Sequence, residues 1–409
     1  MSAIKRICSV ALCACLVAAL YIIGISAETE PLRYGADGTF RILVFADTHQ
    51  AADAQPKMIA FMGEALDYAR PDLVVFNGDI VVGSACENEA SERKAIQELL
   101  APVTRRGLKF ALVFGNHDQE YLPGGKDGRA HIMTMYQGLP GCLAYAGDPE
   151  KPGQSSFHLP IYSGKTSNEL VSNLWFFDTG AYSEDPDRHW EGVRKDQIEW
   201  YESASRKLRR ENGGNPVPSL AFQHMIVPEI YEYFPKVSAA LPVVTRNILG
   251  VNRLILPDFT KIDGTVLGVP NPPRKTDGQF DSWAARGDIF AAVFGHDHNN
   301  RFTARREGID LVNLPAATSG NFVVNELRGA ALITLREDAP RSYELENVTY
   351  RRMAALPGSQ IGNPDRLADS WISPLYFLEK AAVRTILRVR SAHALIPRHF
   401  QIALHNREQ

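Results

Sequence analysis

Five apolar runs, far apart along the chain, each end in residue types that bind metal ions. They are Arg41-Ile-Leu-Val-Phe-Ala-Asp47-Thr-His49, Asp72-Leu-Val-Val-Phe-Asn-Gly78-Asp79, Phe110-Ala-Leu-Val-Phe-Gly115-Asn116-His117-Asp118, Leu220-Ala-Phe-Gln-His224 and Phe290-Ala-Ala-Val-Phe-Gly295-His296-Asp297-His298. A continuous Val/Leu/Phe run reads as a strand buried on both faces, and in sheets built of such strands ligands sit beyond the carboxyl ends. Five strand tips are therefore expected to converge on one crevice. Carboxylate, imidazole and amide oxygen suit Zn, Mn or Fe better than thiolate-preferring metals, and no cysteine lies among the five runs. A lone histidine at a strand end is more often structural than ligating, but five of the eleven histidines fall inside these segments.

The ordered set Asp-x-His, Gly-Asp, Gly-Asn-His-Asp, His and Gly-His-x-His resembles the signature of the calcineurin-like metallophosphoesterase superfamily. The resemblance implies an α/β fold of two mixed β-sheets sandwiched by helices, in four layers. Carried over motif by motif, it implies that Asp47, His49 and His298 hold one metal and Asn116, His224 and His296 the other. Asp79 is expected to bridge them. The cofactors implied are two divalent or trivalent transition-metal ions, Fe, Zn or Mn, about 3.5–4 Å apart, with a shared water as nucleophile. His117 is expected to face the substrate as the acid that protonates the leaving group, an effect worth about 10²–10⁴ in rate, with Asp118 orienting it. Asp297 should point away from the metals if both flanking histidines point inward. Asp178, ending the run Leu174-Trp-Phe-Phe-Asp, reads as a packing or loop-fixing residue.

Within the superfamily the chain is similar to the secreted, purple-acid-phosphatase-like subgroup through Trp175-Phe-Phe-Asp-Thr-Gly180, Gln197-Ile-Glu-Trp-Tyr201 and Gly115-Asn-His-Asp-Gln-Glu120. It departs from true purple acid phosphatases at Val82, where those carry a tyrosine ligand three residues after the bridging aspartate. It also lacks the Asp-Arg continuation by which the Ser/Thr protein phosphatases clamp phosphate, reading Gly78-Asp-Ile-Val-Val-Gly83 instead. A positive clamp must then come from elsewhere, with Arg274-Lys275 and Arg301 as candidates. The function implied is a secreted, metal-dependent hydrolase of phosphomonoesters. Phosphodiesters are the alternative for the same site, and a non-catalytic binding protein is the alternative of another class.

Lys5 and Arg6 precede an apolar stretch from Ile7 to Ile25, and Ile25-Ser-Ala27 offers a small-residue cleavage site. Residues 1–27 are read as a signal peptide or signal anchor, which places the catalytic part outside the cytosol. Membrane association is expected only if that segment is uncleaved. Beyond the leader only Cys86 and Cys142 remain, as one disulfide or two unpaired buried thiols. Asn347-Val-Thr349 is a glycosylation sequon. The net charge of −3 supplies no basic surface for nucleic acid. The partner that the resemblance implies is a small phosphorylated substrate.

Along the chain, strand-like runs alternate with helical patterns at 56–70, 90–100 and 195–211, and antiparallel strands are expected between 301 and 351. The catalytic domain is placed at 38–352 and a C-terminal extension packed on it at 353–409. Residues 225–289, rich in Pro and Gly, should overhang the site. Residues 381–394 could form a basic amphipathic helix covering the domain's outer face.

Overall fold

A computed structural model of the chain describes residues 30–364, except 54, 121–125, 146–154, 167, 235, 238–246, 249–250, 253, 256–257, 259 and 321–322. The leader, the expected C-terminal extension beyond residue 364 and with it the expected helix at 381–394 lie outside the described residues.

The strands run β1 Leu32–Arg33, β2 Thr39–Phe45, β3 Leu73–Asn77, β4 Phe110–Val113, β5 Phe157–Tyr162, β6 Leu170–Phe177 and β7 Ser219–Gln223, followed by β8 Lys236–Val237, β9 Asn247–Ile248, β10 Val251–Asn252, β11 Leu254–Ile255 and β12 Ile262–Val266, and then β13 Ile289–Phe294, β14 Asn300–Arg306, β15 Ile309–Asn313, β16 Gly329–Arg336 and β17 Tyr343–Thr349. Two sheets carry the fold. One has eight strands in the order β1-β5-β6-β7-β13-β15-β14-β12, the other five in the order β17-β16-β2-β3-β4. Both are mixed: β6-β7-β13-β15 and β2-β3-β4 run parallel, β1 pairs parallel with β5, and the remaining neighbours pair antiparallel.

The sequence pattern explains the layers. Along β6, Leu174 and Phe176 join the core between the sheets, whereas Trp175 and Phe177 join a second core beneath the helices Lys195–Glu211 and Gln279–Arg286. That is the period-two alternation of a strand covered on both faces. Phe176 stacks on Phe157 at 4.4 Å and on Phe222 at 5.3 Å. In β13 the alternation slips at a bulge after Ile289, so that Ala291 and Val293 face the central core and Ala292 and Phe294 the outer one. On the far side, helices Pro56–Ala69 and Glu89–Thr104 bury Phe61, Met62, Leu99 and Val103 against the five-stranded sheet. The result is helix, sheet, sheet, helix.

The helical patterns at 56–70 and 195–211 match to within a residue, and that at 90–100 extends to Thr104. The helix Lys126–Gln137 was not foreseen, nor was Gln279–Arg286 inside the Pro/Gly-rich stretch. That stretch is more than an overhang, because β12 joins the edge of the large sheet against β14. Cys86 and Cys142 are unpaired, and burial pushes their thiols up to about 11 and about 12. No helix among the described residues is long and apolar enough to cross a membrane.

Helix Glu89–Thr104 starts with a reciprocal cap between Asn88 and Ser91, then turns Glu92 into the interior, where no protein donor reaches either carboxylate oxygen. Burial, with Asp118 adding to it, raises the Glu92 carboxyl to about 7. A pKa higher in the folded than in the unfolded state means that the folded chain holds this proton longer, so stability falls as pH rises from about 4.5 to about 7. Glu92→Gln should therefore leave stability unchanged near pH 4 and raise it at pH 8 by on the order of 2 kcal/mol, as read by urea unfolding at the two pH values.

Candidate dinuclear metal site

The loops after β2 and β3 are zipped together by backbone hydrogen bonds: Asp47 N–H donates to Gly78 O at 3.0 Å, His49 N–H to Asp79 O at 2.9 Å and Gln50 N–H to Ile80 O at 2.9 Å. This ladder holds Asp47, His49 and Asp79 in the left-handed region, at φ 52°, 47° and 47°, and His296 joins them at 66°. Each such residue costs on the order of 1 kcal/mol or more and persists only where the surroundings over-determine it. The two sheets are pinned together at the same place. Asn77, ending β3, donates through Nδ2 to Gln223 O at 3.1 Å and Val293 O at 3.2 Å, on the tips of β7 and β13.

Close approach is what the glycines of the motifs provide. A Cβ on Gly78 would overlap the His224 ring, one on Gly115 would overlap the carboxylate and backbone nitrogen of Asp79, and one on Gly295 would come 2.6 Å from Asp47 Oδ2. Freed of that bulk, the side chains converge. His298 Nε2 lies 3.2 Å from Asp47 Oδ1, and His49 Nε2 lies 3.8 Å from Asp47 Oδ1 and 3.7 Å from Asp79 Oδ2. His224 Nε2 lies 3.1 Å from Asp79 Oδ2.

Asp47, His49, Asp79 and His298 offer ligand atoms all within 4.8 Å of one another, and Asp79, His224 and His296 form a second such group. Asp79 belongs to both. Asp79 Oδ2 and His224 Nε2, which face each other, and Asn116 Oδ1 are among the buried side-chain atoms that no hydrogen bond satisfies, and a cation would satisfy them. The tautomer of His224 fits ligation too, since Nδ1 sits 3.1 Å from Asn77 O and can donate there, leaving Nε2 to a cation. These residues fit two transition-metal ions.

The electrostatics follow from two buried carboxylates facing four imidazoles. Burial alone would raise Asp47, but His298 and His224 outweigh it and hold the carboxyl below its usual range; Asp79 is held well below by His224 and His49. In return, burial opposes protonation of His224 while Asp79 and Asp47 push it up to about 10, and Asp47 raises His298 likewise. His49 is lowered by burial, and His296 is driven down to about 3 by burial and the neighbouring His224. The negative charge that recruits protons here is the charge that would recruit cations.

His117 stands at the edge of the site, its ring 5.4 Å from that of His49 and its side chain about one-third exposed. Its backbone N–H donates to Asp79 Oδ1 at 2.8 Å. The expectation that Asp118 orients the ring is not met. Asp118 is buried and accepts from the backbone of Ile80 and Val81, both at 2.9 Å, and of Gly115 at 2.7 Å, stapling the loop that carries Asp79 to the loop that carries Asn116. The partner of the His117 ring is Glu120, with Oε1 2.5 Å from Nδ1 and Oε2 accepting from Ser84 Oγ at 2.6 Å. Sequence offered only a weak signal for this, an acid three residues along in Gly115-Asn-His-Asp-Gln-Glu120.

Asp297 turns away from the cage and accepts from Asn271 N–H at 3.1 Å. Asp178 fixes a loop: it pairs with the buried Arg129, which also donates to Gly115 O at 2.7 Å. Of the candidate phosphate clamps, Lys275 is engaged by Asp185 and Asp187 at 3.4 and 3.2 Å, and Arg301 is lowered by burial.

The calcineurin-like phosphoesterase profile matches residues 40–300. The chain belongs to that family. It aligns at 28% identity with the Arabidopsis thaliana protein named Probable inactive purple acid phosphatase 29, over 70% of this chain and 74% of that one. It aligns at 26% identity with Phosphatase DCR2 of Saccharomyces cerevisiae, over 68% of this chain and 48% of that one. Among solved structures it is similar to a dimetal phosphatase from Danio rerio, with a TM-score of 0.46 and 12% identity over 76% of this chain and 99% of that chain. Three of the relatives, all from Arabidopsis thaliana, are named as purple acid phosphatases, and the chain is a member of a phosphoesterase family with a site able to hold two metals.

Asp79→Ala should reduce bound metal to one ion or none, since the carboxylate shared by both groups is removed. Gly115→Ala should do nearly the same by displacing Asp79 while every ligand is still present. Metal analysis by mass spectrometry, with circular dichroism to confirm the fold, checks both; two tightly held ions in either variant would contradict the shared-carboxylate geometry.

Proposed function

We propose that the chain is a metal-dependent hydrolase of phosphomonoesters. The observation that carries the reading is the undiminished donor set, with Asp79 common to both groups of ligands. One metal would be held by Asp47, His49 and His298, the other by Asn116, His224 and His296, and Asp79 would touch both. Two ions of Fe, Zn or Mn, when bound, supply Lewis-acid polarisation of the phosphoryl oxygens and a water made acidic enough to attack near neutral pH.

The chain's own residues do the rest. The His117 backbone holds Asp79 Oδ1, so that Oδ2 is turned to the cage, and Glu120 holds the His117 ring by Nδ1, leaving Nε2 to carry a proton to the departing alkoxide. Asp118 acts through the backbone, as a positioning residue for Asp79 and Asn116.

Three Arabidopsis relatives are named as probable inactive phosphatases and the yeast relative as a phosphatase, so a non-catalytic scaffold is the competing reading. A decayed binder would be expected to have lost at least one ligand, and this chain retains them all. Diesters remain the variant of the same machinery. Stripping the protein and reloading it with Mn, Zn or Fe before assay on aryl monoesters, aryl diesters and nucleotides separates the three readings; no turnover with any metal would overturn catalysis. The apolar leader at 7–25 supports export from the cytosol.

His117→Ala should keep both metals and slow alkyl monoesters by about 10² or more, with a smaller loss on activated aryl esters whose leaving groups need no proton. Steady-state kinetics on the two ester types, with metal analysis, checks this; equal losses would make His117 a structural support. Val82, at the position of the purple-site tyrosine, gives its N–H to Gln50 O at 2.9 Å as part of the backbone zip. An iron-loaded sample should accordingly be colourless in the visible, and a strong band lost on reduction would require another tyrosine as ligand.

A further inference from the structure

Residues 179–192 form a hairpin beside the metal site. Gly192 N–H donates to Thr179 O at 3.0 Å, Glu191 N–H to Ala181 O at 2.9 Å and Ser183 N–H to His189 O at 3.0 Å, which sets Tyr182 and Trp190 opposite each other as a cross-strand pair. Gly180, at φ +66°, makes the entry possible, since a Cβ there would overlap the Glu191 carboxylate. The tip is clamped to the Pro-rich segment. Arg188 donates to both oxygens of Asp277, at 3.2 and 2.5 Å, and Arg274 N–H donates to Arg188 O at 3.0 Å.

On this frame the Trp190 ring stands edge-on to His296, with centroids 4.9 Å apart and planes at 87°. It is nearly buried, yet no protein acceptor takes its indole N–H. Tyr182 lies against Trp190 at 4.5 Å and 36°, and is 61% exposed. The hairpin thus holds an open tyrosine ring two ring contacts from a metal-ligand candidate, where it fills no core. Along the same hairpin runs a cleft of about 540 Å³ whose lining carries Glu184, Glu191, Asp196 and Glu199 beside Arg188 and Arg194. Carboxylates outnumber cations there, which suits a neutral group and disfavours further phosphates.

We propose that Tyr182 and Trp190 form a shelf for the planar aromatic part of the substrate, so that the site selects aryl or nucleoside monophosphates over aliphatic monoesters and over nucleoside polyphosphates. The inference rests on the phosphoesterase reading above. A planar ring stacks on an aromatic face with an energy that alanine substitution reveals as about 10- to 100-fold in binding.

The test uses the Mn-loaded full chain as wild type, Tyr182→Ala and Tyr182→Phe, with kcat and KM on AMP, ADP, phenyl phosphate and glycerol 2-phosphate. Quenching of tryptophan emission by adenosine, with Trp190→Phe as control, reads the shelf without turnover. Tyr182→Ala should lower the kcat/KM ratio of the aromatic esters to glycerol 2-phosphate by about 10- to 100-fold, through KM, while Tyr182→Phe keeps it. Loss confined to AMP or to phenyl phosphate supports the shelf and identifies its ring. Equal change on all substrates, or ADP cleaved as well as AMP, overturns the proposal. If no ester is turned over but adenosine quenches emission in a Tyr182-dependent way, the shelf stands and the phosphoesterase reading falls.

Discussion

The structure leans on one buried carboxylate. Asp79 lies in the left-handed region at the tip of β3, shared by two groups of ligand atoms, with its Oδ1 fixed by the His117 backbone. Its neighbours are arranged around that placement. Gly115 leaves room for it, Asp118 staples the following backbone of Ile80 and Val81, and His49 N–H takes its carbonyl. A carboxylate at 1% exposure is costly without cations around it, and the protein supplies imidazoles on every side.

The two sheets serve this centre in different ways. The five-stranded sheet carries the candidate ligands Asp47, His49, Asp79 and Asn116 beyond the ends of β2, β3 and β4, and the eight-stranded sheet carries the candidates His224, His296 and His298 beyond the ends of β7 and β13. A donor set split between two sheets is only as exact as the packing of one against the other. That packing is fixed in two ways: by the central core to which both sheets contribute, where Phe290 of β13 meets Tyr343 of β17 at 6.3 Å, and at the site by Asn77 and the His296 N–H, which donates to Asp47 at 3.1 Å. Backbone strain at four candidate ligand residues is sustained because sheet ladders and cross-sheet hydrogen bonds leave the loops no relaxed alternative.

Outside the cage, the 179–192 hairpin and the Pro-rich segment near 274–277 are tied to each other by ion pairs rather than by sheet, and the hairpin's Trp190 packs against the candidate ligand His296. Such loops on a rigid scaffold are where a shared catalytic core acquires its own substrate preference.

The amino-acid sequence by itself determined the strands that end at the site, the ligand types at their tips and the α/β class, because buried parallel strands announce themselves as apolar runs and ligands as polar residues where those runs stop. Fixed spacing also placed Val82 where a tyrosine ligand would be. Only the tertiary structure decided that Glu120, not Asp118, meets the His117 ring, since which of two acids in one turn faces an imidazole depends on backbone direction after the strand. The same holds for Asn77 joining the sheets, for Glu92 turned inward and for Tyr182 lying on Trp190. Each is a contact between segments tens to hundreds of residues apart or across a turn whose geometry the local sequence leaves open, and long-range proximity is created by packing, which no single stretch of sequence encodes.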